Sequence, residues 1–311
     1  MISLVVLGGT SFIGKAIISA GNCTMPIKAV ARRLPKDSDS GQAGVTWHTV
    51  DLSNPASLDS ILEAGDIVIN LIYMHDRSKT DNSLLLKNII DACKRHGVAR
   101  LIHCSTAIVA GTARESKVNE LTLCFPSSPY EKTKYELERQ LLQETSKILD
   151  FGILRPTAVV GIGGQNLVKL AMDLRKSSWI VNYLRASLYG LRPMHLVAIH
   201  NVVSALLHLA SLPESLKGNI YIVASDDDPD NNFKRIEECL MRAMGLKKRR
   251  FPLIPIPLLI LSVFLKILGR SGFDMERYYD SSKLTSTGCV PADSISNAVC
   301  DFGESMRVIQ K

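Results

Sequence analysis

No pair of cysteines in this 311-residue chain has CxxC spacing, and the seven present (23, 93, 104, 124, 239, 289 and 300) are odd in number and irregularly placed. That argues against a disulfide framework or a zinc site and for reduced thiols in a cytoplasmic setting. His195 and His200 lie five apart with no further ligand pattern beside them, so no metal is expected. The opening "MISLVVLGG" lacks a basic n-region and a small-residue cleavage site, so no secretory leader is read there. No unbroken apolar run is long enough to span a bilayer. In "FPLIPIPLLILSVFLKILG", residues 251–269, Pro252, Pro255 and Pro257 break the first third and leave a helix over 258–268. Acidic residues are outnumbered, 30 against 37 Lys and Arg, for a net charge of +7. A mildly basic chain suits an anionic ligand such as a phosphate-bearing cofactor, or an anionic membrane surface, and equally serves solubility alone. Nucleic acid is not among the expected partners, and no internal repeat is seen.

What is present is an alternation. "ISLVVLG" is a β-branched and apolar run expected as a buried parallel strand. A glycine turn and a helix over 12–20 follow it, then strands at "IKAVAR", "VTWHTVDL" and "DIVINLIY", with a helix expected near 55–63. "DNSLLLKNIIDACKRHG" predicts a helix with Asp at its start and Gly97 at its end, "ARLIHCST" a fifth strand, "YEKTKYELERQLLQETSK" a long helix and "FGILRP" a sixth strand. Alternation of this kind implies an α/β fold, a doubly wound parallel sheet of Rossmann type with helices on both faces. A smaller C-terminal lobe for the substrate is expected beside it. The dinucleotide-binding part is assigned to 1–158, with 195–226 returning to it through the strand and helix of "MHLVAIHNVVSALLHLA" and the strand "GNIYIVAS". The substrate lobe takes 159–194 and 227–311, a mixed region, a helix near 232–244, the apolar segment and a polar tail. The acidic run "SDDDPDNN" is expected as a turn and helix cap.

"VVLGGTSFIGKAI" places Gly8, Gly9 and Gly14 between the first strand and the first helix. Glycines there let the chain turn tightly and let a pyrophosphate approach the free N–H groups and positive end of the helix. The bland alternative is a glycine turn in a sheet that binds no nucleotide. The second strand ends "AVARRLP", with Arg32 and Arg33 where NAD-binding sheets carry a carboxylate for the ribose hydroxyl. Two guanidiniums suit a 2′-phosphate, which favours NADP over NAD. Ser128, Pro129 and Glu131 fit a capping box with Pro at the first helical position, which puts Tyr130 in the first turn and Lys134 on the same face. An ammonium beside a phenol lowers its pKa, and a tyrosine so tuned can move a proton near neutral pH. A second YxxxK, Tyr279 to Lys283, lies in the polar tail and is expected as a surface helix or loop.

In order along the chain, "GGTSFIG", "DLS", "NLIY", "CSTAIVAG", "YEKTK", "LRPTAVVG" and "HNVVSAL" resemble the extended short-chain dehydrogenase/reductase superfamily, in its epimerase/dehydratase branch. The resemblance implies Tyr130 as acid/base, Lys134 as the residue that lowers its pKa and binds the nicotinamide ribose, and Thr106 as the hydroxyl that bonds the reacting oxygen. It implies cofactor contacts at Gly8, Thr10, Ser11, Phe12, Ile13, Gly14, Asp51, Leu52, Asn70, Leu71 and Pro156, with Arg32 and Arg33 at the 2′-phosphate. Substrate contacts fall to Thr106, Tyr130 and Asn166. There are departures. Ser11 replaces the middle glycine of the family turn and Leu7 its threonine. Ala107 and Ile108 stand where the 4,6-dehydratases carry Asp-Glu, and Ala158 stands where many nucleotide-sugar members carry Asn. The leading expectation is an NADP- or NAD-dependent epimerase or ketosugar reductase acting on a nucleotide- or lipid-linked sugar, as a homodimer in the cytoplasm. The alternatives are a reductase of a lipophilic alcohol, similar to the 3β-hydroxysteroid branch, and a non-catalytic Rossmann binding protein. The basic run "KKRR", 247–250, before the apolar segment carries a further expectation, peripheral contact of 251–268 with the inner face of the membrane.

Overall fold

The computed structural model describes residues 2–20, 25–34, 43–145, 149–247 and 277–308; the apolar stretch at 251–269 and its expected membrane contact lie outside them. Seven parallel strands form the main sheet: β1 (Leu4–Leu7), β2 (Ile27–Ala31), β3 (Val45–Thr49), β4 (Ile67–Asn70), β5 (Arg100–Cys104), β7 (Asp150–Pro156) and β10 (Ile220–Val223). Their order is β10-β7-β5-β4-β1-β2-β3. Leu7 sits opposite Val30 on one side and Asn70 on the other. The winding reverses between β1 and β4, and the crevice at such a switch point is where open α/β sheets take their ligands.

The pleat of β1 shows why both faces are covered. Leu4 and Val6 point into a core shared with Ile17 of α1 (Phe12–Ser19) and with Val202 and Leu206 of α6 (Ile199–Ser211). Val5 and Leu7 point into the opposite core, with Leu86, Ile89 and Ile90 of α2 (Lys79–Arg95) and Leu137 and Leu141 of α3 (Pro129–Thr145). All four side chains of β1 are fully buried, each worth about 1.5–3 kcal/mol of apolar burial. A third core joins β8 (Ala158–Val160), β9 (Leu196–Ala198), α4 (Val168–Lys176), α7 (Phe233–Ala243) and α9 (Ile295–Val308) through Leu167, Leu240, Val299 and Phe302. A helix α5 (Trp179–Tyr189), short strands β6 (Lys117–Val118) and β11 (Tyr278–Tyr279), and a one-turn α8 (Ser282–Thr285) complete the described elements.

Several expectations are corrected. No helix forms near 55–63; the chain closes in successive turns, Ser57 N–H to Asn54 O at 3.1 Å and Asp59 N–H to Ala56 O at 3.1 Å. The Asp51 and Asn54 side chains accept from the N–H groups of Ser53 and Ala56, and such local bonds compete with helix. Leu58, Ile61 and Leu62 are buried all the same, so the apolar pattern has a tertiary cause. The polar tail carries α9, packed on α7, and the mixed region before 194 holds α4 and α5. Tyr279 lies buried in β11 rather than on a surface helix or loop. The thiols are not all free, because Cys239 and Cys300, facing each other across α7 and α9, are joined as a disulfide. No helix among the described residues is long and apolar enough to cross a membrane.

Candidate active site

The first turn after β1 is built by its hydrogen bonds. Gly8 and Gly9 N–H both donate to Val30 O, at 3.0 and 2.9 Å, and Ser11 N–H to Gly8 O at 2.9 Å. Gly8 has φ +93°, and a Cβ on Gly14 would lie 2.9 Å from Gly9 Cα and closer still to the Gly8 carbonyl oxygen, so no side chain fits at 14. Ser11 occupies the middle-glycine place as the N-cap of α1, its hydroxyl accepting from Gly14 N–H at 3.1 Å. The turn thus keeps its shape without that glycine.

It opens into a cleft of about 990 Å³ at the switch point, lined by Gly8, Thr10, Ser11, Arg32, Arg33, Asp51, Leu52 and Leu71 among others. Phe12 and Ile13 turn instead toward the core shared by α1 and α6. Asn70 is buried under the loop after β4. Its side chain accepts from Ile72 N–H at 2.9 Å and donates to His103 Nδ1 at 3.1 Å, so it braces the loop rather than lining the cleft. Pro156 ends β7 opposite Val223. The exposed Asn166 donates its amide to Val159 O at 2.8 Å. At the end of the cleft near Arg32, Asp51 accepts from Ser53 Oγ at 2.7 Å. That bond, then the Ser53 N–H, then Arg32 and Arg77, hold its carboxyl below the usual range.

Tyr130 and Lys134 are set by the start of α3. Ser128 Oγ accepts from Glu131 N–H at 3.2 Å, and Glu131 Oε2 accepts from Ser127 N–H at 2.7 Å, so the cap expected there forms. Lys134 is buried and donates to Cys104 O at 2.9 Å, which ties the helix to the end of β5. Burial lowers the Lys134 pKa and pushes the Tyr130 phenol up to about 12. The expected downward shift of Tyr130 is therefore corrected: with Lys134 on a carbonyl, desolvation decides the sign. Thr106, also buried, follows β5; no direct hydrogen bond joins its side chain to Tyr130 among the described residues. Ser105 Oγ and Thr157 Oγ1 beside it are buried without a partner, and His103 is held neutral, its pKa driven to about 3 by burial.

Two rings that sequence reasoning missed pack against the phenol ring. Tyr73 stands edge-on to Tyr130 with centroids 5.0 Å apart, and His75 stacks on it at 5.7 Å. Lys134 Nζ lies 5.1 Å over the Tyr73 ring. The signal available was position: both residues follow a parallel strand at its carboxyl end, where ligands bind. α3 is further anchored by a buried two-pronged ion pair, Arg155 Nε and Nη2 to Glu138 Oε1 and Oε2, at 3.0 and 2.6 Å. The second YxxxK makes no such site, since Lys283 bonds Asn219 Oδ1 at 3.0 Å. His195 pairs with Asp226 at 2.7 Å and His200 with Asp293 at 3.2 Å, and no cluster of three metal-ligating side chains occurs among the described residues.

A family profile described as the NAD dependent epimerase/dehydratase family matches residues 4–224. Short-chain dehydrogenase/reductase family 42E member 1 of Bos taurus is 29% identical over 309 residues, covering 89% of this chain and 76% of that protein. Sterol-4-alpha-carboxylate 3-dehydrogenase, decarboxylating, of Saccharomyces cerevisiae is 24% identical over 186 residues, 53% of each chain. Among solved structures, dTDP-glucose 4,6-dehydratase of Bacillus anthracis in complex with NAD superposes with a TM-score of 0.73 at 16% identity, covering 100% of this chain and 98% of that one. This likeness is one of fold.

Proposed function

The chain belongs to the NAD dependent epimerase/dehydratase family, and on that premise we propose that it is an NADP-linked oxidoreductase that interconverts a secondary alcohol and a ketone on a lipophilic body. One observation carries the activity: Tyr130 and Lys134 share a face of α3, and Lys134 reaches the carboxyl end of β5, which Thr106 follows. The chain's own groups fit a dinucleotide. The glycine turn leaves backbone N–H groups open to a pyrophosphate, the hydroxyls of Ser105 and Thr157 are buried without partners, and Arg32 and Arg33 offer guanidiniums to a 2′-phosphate. When bound, the dinucleotide supplies the redox equivalent, a hydride given or taken at the nicotinamide ring.

Every other part of the reaction falls to the protein. Tyr130 passes a proton to or from the substrate oxygen, Thr106 donates a hydrogen bond to the same oxygen, and Lys134 holds positive charge beside them. The rings of Tyr73 and His75 pack beside the phenol ring.

The substrate class rests on the loop that runs into Tyr130. It offers Leu121, Leu123 and Phe125, 90, 69 and 49% exposed, while its Asn119, Glu120 and Thr122 side chains accept bonds from the backbone. Ala158 has no amide, and Asn166 directs one of its amide hydrogens to Val159 O. The yeast relative named for a sterol agrees with this reading. The competing reading, a nucleotide- or lipid-linked sugar epimerase or ketosugar reductase, draws on the shared fold. A turnover assay with NADPH separates them: a hydrophobic cyclic ketone should be reduced and nucleotide sugars left unchanged. Retained stoichiometric nucleotide on denaturation, with sugar epimerised, would overturn the proposal.

A further inference from the structure

The proposed NADP reading gives the 2′-phosphate two arginines at the end of β2, yet three guanidiniums line the adenosine end of the cleft. Arg77 belongs to the loop after β4, on the other side of β1, and lines the same cleft as Arg32 and Arg33. Its root is fixed. Arg77 N–H donates to Met74 O at 3.3 Å, and the next residue, Ser78, caps α2 through reciprocal bonds with Asp81, both 3.1 Å. Arg32, Asp51 and Arg77 line the same cleft, so an arginine comes to it from each side of β1.

The balance of partners points the same way. Arg95, Arg100, Arg155 and Arg185 each meet a carboxylate, at 2.7, 2.7, 2.6 and 3.2 Å. Arg32, Arg33 and Arg77 pair with none among the described residues. Of the carboxylates that line the cleft, Asp51 accepts from Ser53 and Asp81 from Ser78, so their oxygens are engaged locally and neither forms an ion pair with the three arginines. A dianionic phosphate monoester has three terminal oxygens and accepts forked guanidinium bonds from more than one direction.

We propose that Arg77 completes a three-arginine clamp on the adenosine 2′-phosphate and, with Arg32 and Arg33, sets the preference for NADP over NAD. The inference deepens the cofactor reading above and is tested without turnover. Adenosine 2′,5′-bisphosphate and 5′-AMP are titrated calorimetrically into the whole protein. The wild type should bind the bisphosphate more tightly. Arg77→Ala should weaken the bisphosphate by about tenfold or more and 5′-AMP by less than about twofold. Arg77→Lys, which keeps the charge and loses the fork, should fall between, and the salt dependence should flatten in the alanine variant. Arg77 is exposed, so an unchanged melting temperature is expected in both variants. If Arg77→Ala binds the bisphosphate like wild type while Arg32→Ala/Arg33→Ala does not, the clamp is overturned and the NADP reading stands. Equal loss for both ligands also overturns it, since Arg77 then serves the part they share. A wild type that does not distinguish the two ligands refutes the NADP reading and the clamp together.

Discussion

Glu138→Gln is the sharpest test of how the candidate helix is held. Glu138 and Arg155 side chains are 1 and 5% exposed and meet through two bonds of 3.0 and 2.6 Å. The change keeps shape and removes one charge, which strands a guanidinium between α3 and β7. Breaking a buried pair from one side costs about 3–5 kcal/mol, because the remaining charge has lost its solvent and its partner. At roughly 2 °C per kcal/mol for a chain of this size, the melting temperature should fall by about 6–10 °C. Urea denaturation should show a lower midpoint at constant slope. Two controls follow from the same physics. Asp91→Asn breaks the exposed pair with Lys87, at 3.1 Å, and should cost under about 0.5 kcal/mol. Glu138→Leu/Arg155→Leu removes both charges and should recover most of the loss. The pair lies one turn beyond Lys134, whose ammonium Glu138 supports, so turnover should drop in Glu138→Gln beyond what lost stability explains. A single variant within about 1 kcal/mol of wild type, or a double variant no better than the single, would refute the reasoning.

Tyr130→Phe should leave fold and nucleotide affinity intact and cut turnover by about 10²–10⁴, while Tyr279→Phe, in the second YxxxK, should leave turnover near wild type; the reverse pattern in steady-state rates would sink the assignment. Tyr73→Ala should admit water to the phenol and bring Tyr130 down from about 12 toward its ordinary value of 10.0, read by ultraviolet titration against Tyr130→Phe; an upward shift counts against burial as the cause. His103 is held at about 3 against an ordinary 6.5, so the unfolded chain takes up a proton that the fold refuses below pH 6.5. Its contribution is intact above that pH and is lost as pH falls toward 3, at about 1.4 kcal/mol per unit; His103→Gln should flatten this acid limb in denaturation curves, and an unchanged limb refutes the assignment.

What the sequence disclosed was local or periodic. The glycine turn, the order of strands and the Ser128 cap each depend on residues a few positions apart, so their chemistry is written in one stretch. The helix expected near 55–63 failed on competition between Asp51 and Asn54 side chains and the backbone, which apolar spacing does not register. The direction of Lys134 was hidden because the Cys104 carbonyl that holds it comes from another strand. Tyr73, His75 and Arg77 were hidden for a related reason. A loop residue acquires a role from the elements it faces, and only the fold brings β4, β2 and α3 to one edge.

The same i,i+4 pair thus yields opposite signs at the two levels, and the sign bears on direction. An ammonium aimed at the phenol would favour phenolate, a base ready to take a proton from an alcohol. Here the ammonium is bonded to Cys104 O, and burial dominates at Tyr130. With its pKa raised by burial, the Tyr130 phenol carries its proton at rest at pH 7. On the proposed reading that form is a donor, matched to the oxygen of a ketone being reduced. Oxidation starts from the rare phenolate, so its rate should climb with pH across the neutral range while reduction stays level. Equal pH profiles in the two directions would mean that Tyr130 does not supply the proton from the environment described.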